Sequence, residues 1–385
     1  MIPYGRQDIT QADIDAVTEV LQSDFLTQGP KVPEFEAALA AQVGAQFGVA
    51  VNSATSALHI ACMALDLGPG DRLWTTPVTF VASANCGRYC GAEVDFVDID
   101  PNTYNLSVSA LAAKLETAAQ THTLPKVLVV VHLSGQPCEM QAIRNLTADY
   151  GIAIIEDASH AVGGRYQDEP IGNGRYSDIT VFSFHPVKII TSAEGGMALT
   201  NDEQLAERMR LARSHGITRD PEQMTQVPDG DWYYQQLSLG YNYRMTEMQA
   251  ALGLSQLQRL QAFVAARHRV AAHYNEQFAD LPIRLPWQHP DSYSGYHLYI
   301  IRLETDKLTK SHAQVFSELR AKGIGVNLHY IPVHTQPYYQ QLGFKPDQFP
   351  QAMAYYREAI SIPMFASLTE SDQQQVIATL HEVLT

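Results

Sequence analysis

Lys188 stands in the loop Phe182-Ser183-Phe184-His185-Pro186-Val187-Lys188, and Glu194-Gly195-Gly196 follows it. Upstream, Asp157 ends the apolar run Ile152-Ala153-Ile154-Ile155-Glu156-Asp157. A lysine amine in a polar loop between two apolar strands can condense with an aldehyde to a Schiff base. A carboxylate at the tip of a neighbouring strand can keep a pyridine nitrogen protonated by ion pairing. The pair predicts an enzyme of pyridoxal 5'-phosphate (PLP), with the cofactor carried on Lys188 and its pyridinium nitrogen held by Asp157. Strand alternation turns Glu156 to the opposite face, which leaves Asp157 as the acid for that task.

A phosphate needs its own cradle. Asn52-Ser53-Ala54-Thr55-Ser56 lies between a strand and a helix. Small side chains there let backbone approach an anion, and a helix N-terminus offers free N–H groups. Ser and Thr are also ordinary N-caps, so the segment becomes a phosphate cup only together with Lys188 and Asp157, and Ser183 can add a hydroxyl. Phe80 and His160 could each cover a face of the pyridine ring. On the residues alone, a core phenylalanine and a structural histidine are the favoured readings of those two. Gly195-Gly196 reads as backbone geometry rather than chemistry.

These residues need a scaffold that brings them together. The first 200 residues alternate short β-rich runs with helical patterns. Strands are expected at 48–51, 72–75, 93–98, 126–132, 153–157, 179–183 and 196–200. Helices are expected at 14–22, 32–43, 56–65, 82–90, 140–150 and 205–215. Such alternation predicts an α/β fold with a mostly parallel sheet covered on both faces. Ligands bind at the carboxyl ends of such strands, which puts Asn52, Asp157 and the Lys188 loop on one edge. One long helix is expected over 246–278, and a smaller α+β lobe after it. That lobe would hold strands at 297–303 and 326–330 and helices at 311–322 and 370–383. Its last helix would start from Thr369 or Ser367. The expected division is a large domain over 1–250 and a small C-terminal domain over 251–385.

Composition narrows the partners. The chain has 385 residues, 45% of them apolar, and a formal charge of −15. That charge disfavours nucleic acid or an anionic membrane as the main partner. No segment is apolar for the roughly 20 residues of a membrane span, and residues 1–8 lack an apolar signal core. A cytoplasmic protein is expected. Cys62, Cys86, Cys90 and Cys138 read as reduced thiols, and no metal site is expected. No GxGxxG follows the first strand, which speaks against a nicotinamide dehydrogenase. No basic helix-turn-helix segment supports a PLP-binding regulator.

Six blocks in order resemble the PLP-dependent nucleotide-sugar aminotransferases of the DegT family. They are Leu26-Thr27-Gln28-Gly29-Pro30, Asn52–Leu58, Glu156–Ala161, Phe182–Lys188, Glu194–Gly196 and Gly240-Tyr241-Asn242-Tyr243-Arg244-Met245. The resemblance spans essentially the whole chain. It implies a fold type I aminotransferase with a seven-stranded sheet, acting as a homodimer with shared active sites. By that resemblance Asn242 reaches the phosphate of the partner subunit's cofactor, and Phe80 and His160 flank the ring. Members with histidine in place of the lysine are dehydratases, so Lys188 implies amino transfer. The opening Met1–Gln7, Arg213–Gly216 and His329–His334 are similar to the branch that makes UDP-4-amino-4,6-dideoxy-N-acetyl-β-L-altrosamine for pseudaminic acid. This implies a UDP-4-keto sugar as acceptor and L-glutamate as donor. Synthesis of UDP-4-amino-4-deoxy-L-arabinose is the alternative. Tyr4, Thr27, His329 and Tyr330 are the expected substrate contacts.

Overall fold

The computed structural model describes residues 1–385. Seven strands form the central sheet: β1 (Phe47–Val51), β2 (Arg72–Thr75), β3 (Glu93–Phe96), β4 (Val127–Val131), β5 (Ala153–Asp157), β6 (Ile179–Ser183) and β7 (Gly196–Thr200). Their spatial order is β1-β7-β6-β5-β4-β2-β3. All are parallel except β7, which runs antiparallel to both β1 and β6. Every strand of the sheet was expected from sequence, with ends shifted by at most two residues.

The near-continuous Val/Ile/Leu runs reflect burial of both faces. Along β4, Val127, Val129 and Val131 enter one core while Leu128 and Val130 enter the other. Helices Ala54–Ala64 and Ala82–Tyr89 pack over the first face, and helices Lys31–Val43 and Met140–Ala148 over the second. Each fully buried Val or Leu contributes about 1.5–3 kcal/mol. A helix Val108–Thr121 is additional to those expected; Leu111, Leu115 and Ala118 form its buried stripe.

Two expectations are corrected. The segment 246–278 is two helices, Glu247–Leu257 and Leu260–Gln277, broken at Gln258-Arg259. No proline or glycine marks this break. Arg259 instead turns back to the N-terminal arm, with Nη1 2.8 Å from Asp8 Oδ1 and Nη2 2.6 Å from buried Asp13 Oδ2. Residues 326–330 are not a strand. Asn327 alone pairs with Ser361, and its Oδ1 accepts from the next N–H, that of Leu328. The chain then turns toward the strand edge of the large sheet. The small sheet is completed by Ala359–Ile362, which pairs with Tyr299–Leu303. Thr369 caps the last helix, Glu370–Leu384.

A third core belongs to this C-terminal part and takes in Ile2 of the arm. Ile2 bridges Ile324, and the Met364 N–H donates to the Tyr4 carbonyl. Arg267, only 1% exposed, ties the C-terminal part together. Its Nη1 donates to the carbonyls of Tyr296 (3.0 Å), His297 (3.2 Å) and Met364 (3.0 Å). Burial lowers its pKa to about 10, so the guanidinium remains charged at neutral pH. Arg267→Leu leaves three carbonyls without their donor. The expected loss is about 3 kcal/mol of stability, read as a lower denaturant midpoint.

Candidate active site

The carboxyl ends of β1, β5 and β6 and the amino end of β7 meet at one edge of the sheet, because β7 alone is reversed. Val51 and Ser183 both pair with Gly196 there. A Cβ on Gly196 would stand 2.5 Å from the Ala54 nitrogen. Glycine is therefore required for β7 to pass under the start of helix Ala54–Ala64. Ser53 caps that helix, its Oγ accepting from the Ser56 N–H at 3.1 Å. Ala54 and Thr55 N–H groups have no acceptor within the helix and face the positive end of its dipole.

A cavity of about 940 Å³ opens at this edge. Lys188, Asp157, His160, Phe80, Ala54, Thr55, Ser56 and Ser183 all line it, together with Tyr4, His329 and Tyr330. Two expected residues lie outside it. Thr27 is exposed and bridges Thr246, while Asn242 is exposed and bridges Ser214. The Asn242 carbonyl accepts from Asn52 Nδ2 at 3.5 Å, so it borders the cradle without entering the single chain's cavity.

Asp157 is buried at the tip of β5. Its Oδ2 accepts from Ser83 Oγ at 2.6 Å, and its Oδ1 from Ser159 Oγ at 2.6 Å and Ser159 N at 3.2 Å. Glu156 faces away, 2.7 Å from His132 Nε2 and 2.5 Å from Ser177 Oγ. Alternation thus separates the two acids as expected. Lys188 lies half-buried, and burial lowers its pKa to about 8 while the Asp157 charge pulls upward. A partly neutral amine is available near neutral pH.

Three imidazoles surround this lysine. His160 and His297 lie against each other, tilted by 49°, with ring centroids 4.4 Å apart. Burial, then the Lys188 charge, holds both well below the ordinary histidine range. The same causes bring His329 to about 3. Its Nδ1 is 2.8 Å from Ser361 Oγ, and its ring lies 5.0 Å from that of Tyr4. Sequence reasoning missed Ser83, Ser159 and His297. Ser159, two residues after Asp157, has the spacing of a local Asx turn and could have been found. Ser83 and His297 carry no local signal, since only the fold brings them near.

The donor set suits a phosphorylated pyridine aldehyde. It offers an amine without an ion-pair partner, a carboxylate at a fixed position, and a helix start with free N–H groups. Comparison with known proteins agrees. The DegT/DnrJ/EryC1/StrS aminotransferase family matches over residues 7–381. The spore coat polysaccharide biosynthesis protein SpsC of Bacillus subtilis is 39% identical over 386 residues, covering 100% of this chain and 97% of that protein. Helicobacter pylori PseC, an aminotransferase involved in the biosynthesis of pseudoaminic acid, is 32% identical with a TM-score of 0.90, covering 100% and 99% of the two chains. The PLP-form of Spr1654 from Streptococcus pneumoniae is 29% identical with a TM-score of 0.88 over 100% of both chains. With this scaffold and these relatives, the chain belongs to the DegT/DnrJ/EryC1/StrS aminotransferase family, as a sugar aminotransferase of fold type I.

Proposed function

We propose that the chain transfers the amino group of L-glutamate to a UDP-4-keto-6-deoxy-N-acetylhexosamine, using PLP held on Lys188. The product is UDP-4-amino-4,6-dideoxy-N-acetyl-β-L-altrosamine, a precursor of pseudaminic acid, made in the cytoplasm. The carrying observation is the free amine of Lys188 facing Asp157 in a cavity closed by a helix N-terminus. The likeness to PseC supports the choice of sugar.

When bound, PLP supplies an electron sink for the carbon next to the transferred nitrogen. The chain supplies the rest. Asp157, held by Ser83 and Ser159, would pair with the pyridine nitrogen and favour its protonated form. Ala54 and Thr55 N–H groups, with the Ser56 and Ser183 hydroxyls, would hold the phosphate. Phe80 and His160 would cover the ring. Lys188, with a pKa near 8, can both accept and return a proton at the reacting carbon. Tyr4, His329 and Tyr330, which line the cavity, are assigned to the substrate.

A second copy would complete the site with Asn242. The segment just before Asn242 exposes Val227 (87%), Trp232 (73%) and Leu239 (72%), an apolar load that favours self-association. We therefore assign a homodimer.

Lys188→Ala is expected to abolish amino transfer while leaving the fold intact; a variant with full turnover refutes the assignment. Product analysis with a panel of UDP- and dTDP-keto sugars and glutamate tests the sugar, including the arabinose alternative. Asp157→Asn should lower kcat about 10²–10³-fold with a much smaller change in thermal midpoint. In cofactor-free protein, acylation of Lys188 should rise with pH through a midpoint of about 8, against 10.5 for an ordinary lysine. Asp157 stabilises the protonated amine, so Asp157→Asn should move that midpoint lower; mass spectrometry of the Lys188 peptide reads both.

A further inference from the structure

The protonation of His160 is set by the backbone beneath it. The Ser134 N–H donates to His160 Nδ1 at 3.2 Å. That nitrogen therefore carries the lone pair, and a neutral ring must hold its proton on Nε2. The Ser134 backbone is specialised for this contact. It holds a left-handed φ of 59°, unfavourable for a residue with a Cβ. At Gly135, with φ of 107°, a Cβ would stand 2.8 Å from the His160 carbonyl oxygen. The turn is thus seated directly against His160.

His160 Nε2 lies 3.1 Å from Tyr330 Oη. Since Nε2 carries the proton, His160 donates and the phenolic oxygen accepts. The Tyr330 O–H is left to point elsewhere, and no acceptor in the chain takes it. Burial, with smaller contributions from Asp157 and Tyr4, raises the Tyr330 pKa well above the ordinary phenol range, so the proton stays in place. A second group in the same cavity is also unpartnered. His297, 3% exposed and packed at a tilt against His160, has a sealed Nδ1 without a hydrogen-bond partner.

We propose that the Tyr330 hydroxyl donates a hydrogen bond to an oxygen of the keto-sugar acceptor, with His160 and the Ser134 N–H as positioning groups that set its direction. This rests on the sugar transamination proposed above. The surroundings favour a sugar over the amino donor. Tyr330 stands in an aromatic wall, 6.0 Å from Phe80 and 5.0 Å from His329, which itself lies 5.0 Å from Tyr4. Phe80 is 57% exposed at the opening. A pyranose can lay its C–H face on such rings while its oxygens bond to a polar tip. Glutamate offers two carboxylates and calls for cations, which this wall lacks. A neutral phenol suits a carbonyl or hydroxyl oxygen.

The test is Tyr330→Phe in the cofactor-loaded enzyme, with each half-reaction followed separately by cofactor absorbance. The expected result is a loss of kcat/KM about tenfold greater for the UDP-4-keto sugar than for glutamate. In a Lys188→Ala background loaded with pyridoxamine phosphate, calorimetric affinity for the keto sugar should also fall about tenfold. His160→Leu, which also uncovers the cofactor ring, should slow both half-reactions but the sugar's by more. His160→Gln, whose amide N–H can replace Nε2–H, should restore most of the sugar's rate. Equal losses in both half-reactions, or unchanged sugar affinity, overturn the proposal. A parent enzyme that aminates no keto sugar overturns the functional reading as well, and is recognised before any variant is made.

Discussion

A half-buried lysine amine without an ion-pair partner is the constraint on which this molecule turns. Desolvation disfavours the ammonium form, and only the Asp157 charge opposes it. Any further positive charge nearby would add repulsion. The three histidines beside Lys188 fit that condition, since burial keeps all of them neutral. Lowered lysine basicity and lowered imidazole basicity are thus one effect seen from four groups. The same low-dielectric setting strengthens each hydrogen bond that fixes Asp157 and orients Tyr330.

The sheet meets this constraint through one reversed strand. With β7 antiparallel, its first residue lies at the edge where β1 and β6 end. The Lys188 loop therefore leaves and re-enters the sheet on the same edge as Asn52 and Asp157. Close passage of Gly196 under Ala54 packs the loop's exit against the helix N-terminus. Cradle, carboxylate and amine are separate in sequence but rigidly related through adjacent strands. The C-terminal part adds the opposite wall. Arg267 gathers the Tyr296, His297 and Met364 carbonyls, and the N-terminal arm carries Tyr4 to the same place.

The legible parts of this design were those with local causes. All seven strands of the large sheet could be read because burial on both faces writes unbroken apolar runs. Lys188, Asp157 and Ala54–Ser56 could be read because each sits just beyond such a run. The errors arose where distant contacts override local preference. A continuous helical pattern hides the break at Arg259, which Asp8 and Asp13 create from over 240 residues away. The Val326–Tyr330 run has strand composition, yet Asn327 bonds its own backbone neighbour and the following residues serve the cavity. His297 reads as the start of a strand, and only the fold shows it packed against His160.

Charge gives the last step. Lys188 is the sole lysine or arginine lining the cavity, and Asp157 and Glu194 oppose it. A PLP phosphate, the two carboxylates of glutamate and a nucleotide diphosphate would bring much more negative charge. The helix dipole at Ala54 amounts to only about half a charge. One chain therefore binds such ligands poorly by electrostatics alone. Further donors and cations from a second copy would offset that charge in the proposed homodimer. Arg219, exposed in the loop after Thr218, and Asn242, at the rim of the cradle, flank in sequence the exposed Val227, Trp232 and Leu239. Charge balance and surface apolarity, independent of each other, both argue for a site completed by a second copy.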